Sequence, residues 1–268
     1  MNKIQEIFKA WNIAMDPTTK QAELASKRLE ICNSCEYKVT NLGINRCSAC
    51  GCALKGKVFT PAIGACPKGK WDDIDHEALY QEKPMVQEFE NELTKEECEE
   101  LINKSKDRLK QAGVLGEQRE NYRTAQQAWI HDNDPLTLKI KSIVLNKTNL
   151  PHENQEAVHV VKYEVGGEYK AHHDFFHPNT SYYDNAVRTG GQRKYSCLFY
   201  LNEGFKGGET YFPKKDLKIE PRLGKLLMWD NLNKDGSPNH DSLHAGLPVE
   251  EGEKWVCIVW VREKSLKT

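Results

Sequence analysis

Beyond about residue 150 the apolar residues of this chain change their period, and that change limits the folds open to it more than any other feature. Val158–Tyr163, Tyr195–Leu201, Glu209–Phe212, Lys225–Trp229 and Trp255–Val261 read as strands, alternating or continuously apolar over the short lengths strands take. Ahead of them the period is helical. Thr94-Lys95-Glu96-Glu97 is a capping box, and the helix it starts carries Cys98, Leu101, Ile102 and Leu109 on one face toward an end near Gly113. A second helix is predicted from Asp134-Pro135 to about Lys147. Helices first and strands afterwards predict a mainly β fold with flanking helices, packed outside a sandwich or barrel.

The first 80 residues read differently. They hold Cys32, Cys35, Cys47, Cys50, Cys52 and Cys66, six of the nine cysteines. A helix over Thr18–Ile31, started at Asp16-Pro17, leads straight into Cys32. From Asn33 to Lys70 the chain is rich in Gly, Lys and Cys and has too little apolar surface to fold without a staple. Two C-x-x-C pairs so close together, in a reducing compartment, are the usual way to hold a metal. Cys32, Cys35, Cys47 and Cys50 fit the four thiolates of a zinc ribbon or knuckle. Cys52 and Cys66 are alternates, six candidates for four places, and Cys66-Pro67-Lys68-Gly69-Lys70-Trp71 resembles the end of small six-cysteine modules in phage-encoded proteins. Trp71–Pro84 is acidic and polar and reads as a linker. The expected organisation is a cysteine-rich module over 1–80 and a larger domain over 81–268.

Composition excludes several function classes. With 38 Lys+Arg against 39 Asp+Glu the net charge is -1, so no global field attracts nucleic acid or anionic membrane. Lys55, Lys57, Lys68 and Lys70 leave local nucleic-acid contact open for the first module, with a solvated basic face preferred. No apolar run approaches the ~20 residues of a membrane span. Met1–Ala14 lacks the apolar core of a secretory signal, so an intracellular, cytoplasmic protein is expected, or a virus-encoded one acting in the host cytoplasm.

The segment from Tyr163 to Asp174 carries the chemistry. In an extended chain residues two apart share a face, so His172 and Asp174 can converge on one ion while His173 points away. His244 supplies a third ligand. Two imidazoles and a carboxylate occupy one face of an octahedron and leave three positions open, which suits ferrous iron that must take a bidentate cosubstrate and dioxygen. Lys254 stands at the entrance to an apolar strand, where a cation must reach solvent or meet an anion. The distal carboxylate of 2-oxoglutarate is a suitable anion. His173, His177 and His240 read as solvent-facing or outlying histidines, Tyr169 as packing, and Gly207-Gly208 as a turn bounding a strand.

From about Met85 onward the chain resembles the 2-oxoglutarate- and Fe(II)-dependent dioxygenases of the prolyl 4-hydroxylase type. The resemblance is carried by Phe89–Cys98, Arg123-Thr124, the Tyr-x-x-Gly-x-x-Tyr-x-x-His-x-Asp run, Phe199-Tyr200-Leu201-Asn202, Gly207–Pro213, and His-x-Gly-x-Pro-Val followed by Gly252-x-Lys254-Trp255. It implies a double-stranded β-helix, or jelly roll, with iron on His172, Asp174 and His244 and 2-oxoglutarate chelating the metal. It further implies Lys254 on the distal carboxylate, the Tyr163 and Tyr200 hydroxyls near the cosubstrate, and Arg123 facing the substrate. The implied cofactors are Fe(II), 2-oxoglutarate and dioxygen, with ascorbate as reductant in vitro and Zn(II) in the first module. The implied activity is hydroxylation of a peptidyl residue, proline first, with conversion of 2-oxoglutarate to succinate. The rivals are hydroxylation of another side chain or a small molecule, and a non-catalytic binding protein working through the zinc module.

Overall fold

The computed structural model describes residues 3–61, 65–71, 84–113, 122–131 and 133–266 of the chain. It divides into two units, Met1–Pro84 and Met85–Thr268.

The first unit runs α1 (Lys3–Met15), α2 (Thr19–Asn33), β1 (Lys38–Asn41), β2 (Ile44–Cys47) and α3 (Leu54–Lys57). α1 is not among the expected helices, although Ile4, Ile7, Phe8 and Trp11 recur in its sequence at helical spacing. α2 starts on a capping box of its own, in which Thr18 Oγ1 accepts from Gln21 N–H and Gln21 Oε1 accepts from Thr18 N–H at 2.8 Å. β1 and β2 pair with Lys38 opposite Cys47 around a Leu42-Gly43 turn whose residues both have positive φ, the geometry that matches strand twist and favours Gly. The small core joins Ala25, Val58 and Trp71. Arg28 lies fully buried among them, its guanidinium donating to Val58 O at 3.0 Å and Thr60 O at 2.8 Å and lying 4.8 Å from the Trp71 ring. Trp71 is therefore part of this core and not the start of the expected linker. The rest of that stretch, 72–83, lies outside the described residues.

The second unit opens with β3 (Val86–Phe89), α4 (Lys95–Lys106), β4 (Lys110–Gln111), β5 (Gln126–Ile130) and α5 (Pro135–Thr148). Then follow β6 (Val158–Tyr163), β7 (Tyr169–His172), α6 (Tyr183–Arg188), β8 (Arg193–Tyr200), β9 (Lys206–Gly207), β10 (Thr210–Phe212) and β11 (Leu217–Ile219). The unit closes with β12 (Leu226–Asp230), β13 (His244–Gly246), β14 (Val249–Glu251) and β15 (Lys254–Arg262). One sheet has the order β3-β12-β8-β15-β6-β5-β4, another β11-β10-β13-β7, and β14 pairs with β9. The fold is mainly β, with antiparallel sheets. Phe212 and Ile219 from the smaller sheet meet Val161, Leu227, Trp229, Val256 and Ile258 from the larger one in a core between them. On the other side of the larger sheet Val158, Val160, Cys197 and Val259 pack with Leu101 of α4 and Ile140 and Val144 of α5. Strand alternation feeds the two cores in turn.

α5 begins as expected: Asp134 Oδ1 accepts from Leu136 N–H at 3.1 Å and Thr137 N–H at 3.3 Å, with Pro135 at the first position. α4 ends at Lys106, seven residues before the expected Gly113. Lys110 and Gln111 pair with Gln127 and Gln126 at the sheet edge, so the ladder satisfies backbone groups that a longer helix would otherwise have to pair. No helix among the described residues is long and apolar enough to cross a membrane.

Candidate metal centre

β7 and β13 are antiparallel neighbours, and their register sets His244 directly opposite His172. Side chains opposed across such a pair meet on one face, and the two rings lie 4.3 Å apart between centroids. His244 is the first residue of its strand. Asp174, two residues past the end of β7, reaches both rings: Oδ1 is 3.7 Å from His172 Nε2 and Oδ2 is 3.7 Å from His244 Nε2. The three ligand atoms all lie within 4.8 Å of one another. Among the described residues no other set of three candidate ligands is gathered so closely.

The backbone sets the tautomers. His172 Nδ1 is 2.8 Å from Lys170 O and His244 Nδ1 is 2.8 Å from Ser242 O. A carbonyl only accepts, so each Nδ1 carries the proton and each Nε2 keeps its lone pair for an ion. Burial, reinforced by His244, holds the His172 imidazole well below its usual range and therefore neutral. Burial pushes the Asp174 carboxyl up, but His244, His172, Arg193 and the Ser196 hydroxyl bring it down to about 2. Two imidazoles that each present Nε2 and an ionised carboxylate fit a divalent ion with oxygen and nitrogen ligands. His173 is turned elsewhere, its ring in contact with Phe175, His177 and His240.

Lys254 opens β15 opposite Tyr163 of β6. It is 3% exposed, and its ammonium donates to Gly208 O at 2.6 Å. The ammonium lies 5.3 Å from the Tyr163 ring centroid and 5.7 Å from that of Tyr200. Burial draws Lys254 down to about 8, with Glu209 pulling the other way, and no carboxylate of the described residues is in ion-pair contact with it. A buried cation without a counter-ion is costly, so this one fits an anionic ligand. Tyr200 Oη and Thr210 Oγ1 are 2.7 Å apart, and burial pushes both the Tyr163 and Tyr200 phenols up, keeping them neutral.

Arg123 bridges to Tyr169, its guanidinium 4.7 Å from that ring, and Tyr169 in turn stacks on His172 with centroids 3.5 Å apart. Tyr169 packs as expected, but against a ligand ring. Sequence reasoning missed Ser196, which donates to Asp174, and Arg193, whose charge acts on it. The available signal was a serine within the apolar run Tyr195–Leu201, with Arg193 two residues ahead of that run.

Five of the first unit's cysteines, Cys32, Cys35, Cys47, Cys50 and Cys66, line one cavity together with Lys38, Lys57, Lys68 and Trp71. Burial pushes the Cys32 thiol up to about 11, followed by its neighbours Cys66, Cys35 and Cys47. Cys52 lines a different cavity, beside Trp11 and Arg46.

The sequence pattern of the 2OG-Fe(II) oxygenase superfamily matches residues 158–262. Prolyl 4-hydroxylase 2 of Arabidopsis thaliana is 34% identical over 210 residues, covering 68% of this chain and 69% of the plant protein. A prolyl 4-hydroxylase-like protein of Acanthamoeba polyphaga mimivirus is 34% identical over 183 residues, covering 68% of this chain and 75% of its own. The viral collagen prolyl hydroxylase of Paramecium bursaria chlorella virus 1, solved as its 2OG complex, has a TM-score of 0.54 at 27% identity, covering 67% of this chain and 96% of its own.

Proposed function

This chain belongs to the 2OG-Fe(II) oxygenase superfamily, as a dioxygenase of the prolyl 4-hydroxylase type, and we propose that it hydroxylates a prolyl residue within a peptide. The observation that carries the reading is the His172–Asp174–His244 set, with Asp174 and His244 buried, in one unit with a buried ammonium, Lys254, that lacks a carboxylate partner among the described residues. In this reading the two Nε2 atoms and one carboxylate oxygen would hold ferrous iron. When bound, the iron with 2-oxoglutarate and dioxygen supplies the oxidant, and 2-oxoglutarate leaves as succinate and carbon dioxide.

The chain's own residues bind and orient. Lys254 takes the distal carboxylate of 2-oxoglutarate in a charge-assisted contact, strengthened by its dry surroundings. Tyr163 and Tyr200 wall the same space and, being neutral, offer hydroxyls without repelling an anion. Arg123 lies on the Tyr169 ring that backs His172, where it faces the peptide. The collagen named as the substrate of the chlorella virus relative is a proline-rich chain, which favours proline here. The test is succinate formation from 2-oxoglutarate with and without proline-rich peptides, with the peptide mass followed in parallel. Stimulation by peptide and gain of one oxygen on proline are expected. Oxygen on another residue, or succinate output indifferent to every peptide, overturns the reading.

For the first unit the reading is a structural zinc site. Cys32, Cys35 and Cys47 supply three thiolates, and Cys50 and Cys66, which line the same cavity, compete for the fourth place. Lys38, Lys57 and Lys68 around the cavity offset the charge of four thiolates.

A further inference from the structure

Asp174 lies beyond the end of β7, where no ladder holds it, yet its carboxylate has to face an ion between two imidazoles. Two buried side chains from distant parts of the chain meet it there. Ser196, in β8, donates its hydroxyl to Asp174 Oδ2 at 2.6 Å. Asn231, immediately after β12, donates its amide nitrogen to Ser196 Oγ at 2.8 Å. Ser196 and Asn231 are fully buried and Asp174 nearly so.

The direction of this chain of hydrogen bonds follows from its ends. The ionised carboxylate only accepts, and a serine hydroxyl has one proton to give. That proton goes to Asp174, so Ser196 Oγ must accept from the next group, and the Asn231 amide can donate. Asn231 is itself anchored by its backbone, with its N–H donating to Lys194 O at 2.9 Å and its carbonyl accepting from Asn239 N–H at 2.9 Å. Its backbone is therefore fixed by the larger sheet and by the segment that leads to His244. Packing alone gives no reason for a serine here. Leu198 and Tyr200, which share its face of β8, are apolar or aromatic, and alanine would fit the same space.

We propose that Ser196 and Asn231 are positioning residues for the metal, locking the Asp174 carboxylate so that it offers one oxygen to the ion. With the Ser196 proton on Oδ2, Oδ1 keeps both lone pairs. An unrestrained carboxylate can turn and bind with both oxygens, which would fill a position needed by the cosubstrate. The inference rests on the iron reading of His172, Asp174 and His244.

The test uses the full-length apoprotein and Co(II), a stand-in for Fe(II) that does not turn over and whose visible spectrum reports coordination number. Ser196→Ala is expected to weaken Co(II) binding about 10–100-fold and to alter the spectrum. Ser196→Thr, which keeps the hydroxyl, is expected to stay near wild type, and Asn231→Ala to shift affinity in the same direction by less. Thermal melting of each apoprotein separates this from a loss of fold. Wild-type affinity and spectrum in Ser196→Ala, with binding lost in His172→Ala, overturn the positioning role and leave the iron reading standing. Wild-type binding in His172→Ala as well overturns the iron reading itself. Should Ser196→Ala fail to fold, Asn231→Ala decides: an unchanged affinity and spectrum there overturn the proposal.

Discussion

Replacing Lys254 with methionine is expected to make the apoprotein more stable while stripping it of affinity for 2-oxoglutarate. Burial brings this lysine from 10.5 to about 8, against the opposing pull of Glu209. At about 1.4 kcal/mol per pH unit, the folded state at neutral pH is about 3 kcal/mol less stable than it would be without the buried charge. Methionine has similar length and no charge, but leaves Gly208 O without the donor it now has at 2.6 Å, a loss of about 1 kcal/mol. The net gain of about 2 kcal/mol corresponds to a rise of about 4–8 °C in Tm for a unit of this size. Its pH dependence has a definite sign. The unfolded lysine holds its proton to about pH 10.4, the folded one only to about 8, so the cost is fully present below 8 and fades as pH rises toward 10.4. The advantage of Lys254→Met should therefore shrink across that window. Affinity moves the other way: losing a charge-assisted contact of about 1.5–3 kcal/mol raises the apparent Kd for 2-oxoglutarate about 10- to 150-fold. Thermal melts of the metal-free chain at several pH values, and a 2-oxoglutarate titration of the metal-loaded chain, measure both effects. A variant that melts below wild type at neutral pH, or a gap that does not narrow above pH 8, refutes the idea of an unpaired buried cation.

His172→Ala, Asp174→Ala and His244→Ala should each abolish turnover and metal loading, whereas His173→Ala and His240→Ala, whose rings meet edge to face with centroids 5.5 Å apart, should be mild; metal content after dialysis separates the two groups. Tyr200→Phe removes the hydroxyl 2.7 Å from Thr210 Oγ1 and should cost about 1 kcal/mol of stability, with a raised KM for 2-oxoglutarate that Thr210→Val shares in part. In the first unit about one zinc per chain is expected by elemental analysis, released by Cys32→Ser but retained by Cys52→Ser; a zinc-free chain purified without chelator would end the zinc reading. Leu101→Ala, fully buried between α4 and the larger sheet, should destabilise the chain by about 2–5 kcal/mol in denaturant titrations without altering the 2-oxoglutarate requirement.

Local patterns carried much of this protein in the sequence itself. The spacing of His172 and Asp174 on an extended segment, and the apolar runs around Val158, Tyr195, Leu226 and Trp255, depend on residues close in the chain. Period and ligand type survive in one dimension. The Thr94 and Asp134 caps were legible for the same reason, since each cap bonds within three residues. What the pattern left out depends on pairings between distant segments. α4 stops at Lys106 because Lys110 and Gln111 find partners at Gln127 and Gln126, and Trp71 is core because Arg28 lies against it. Ser196 of the larger sheet reaches Asp174, past the end of β7 in the smaller one, across 22 residues, and Asn231 reaches Ser196 across 35, from the end of the strand paired with β8. Which cysteines share a cavity, and which histidine stands opposite His172, were likewise settled by strand register and helix packing. Those arise from the sum of many weak apolar contacts over the whole unit, a quantity no single stretch of residues contains.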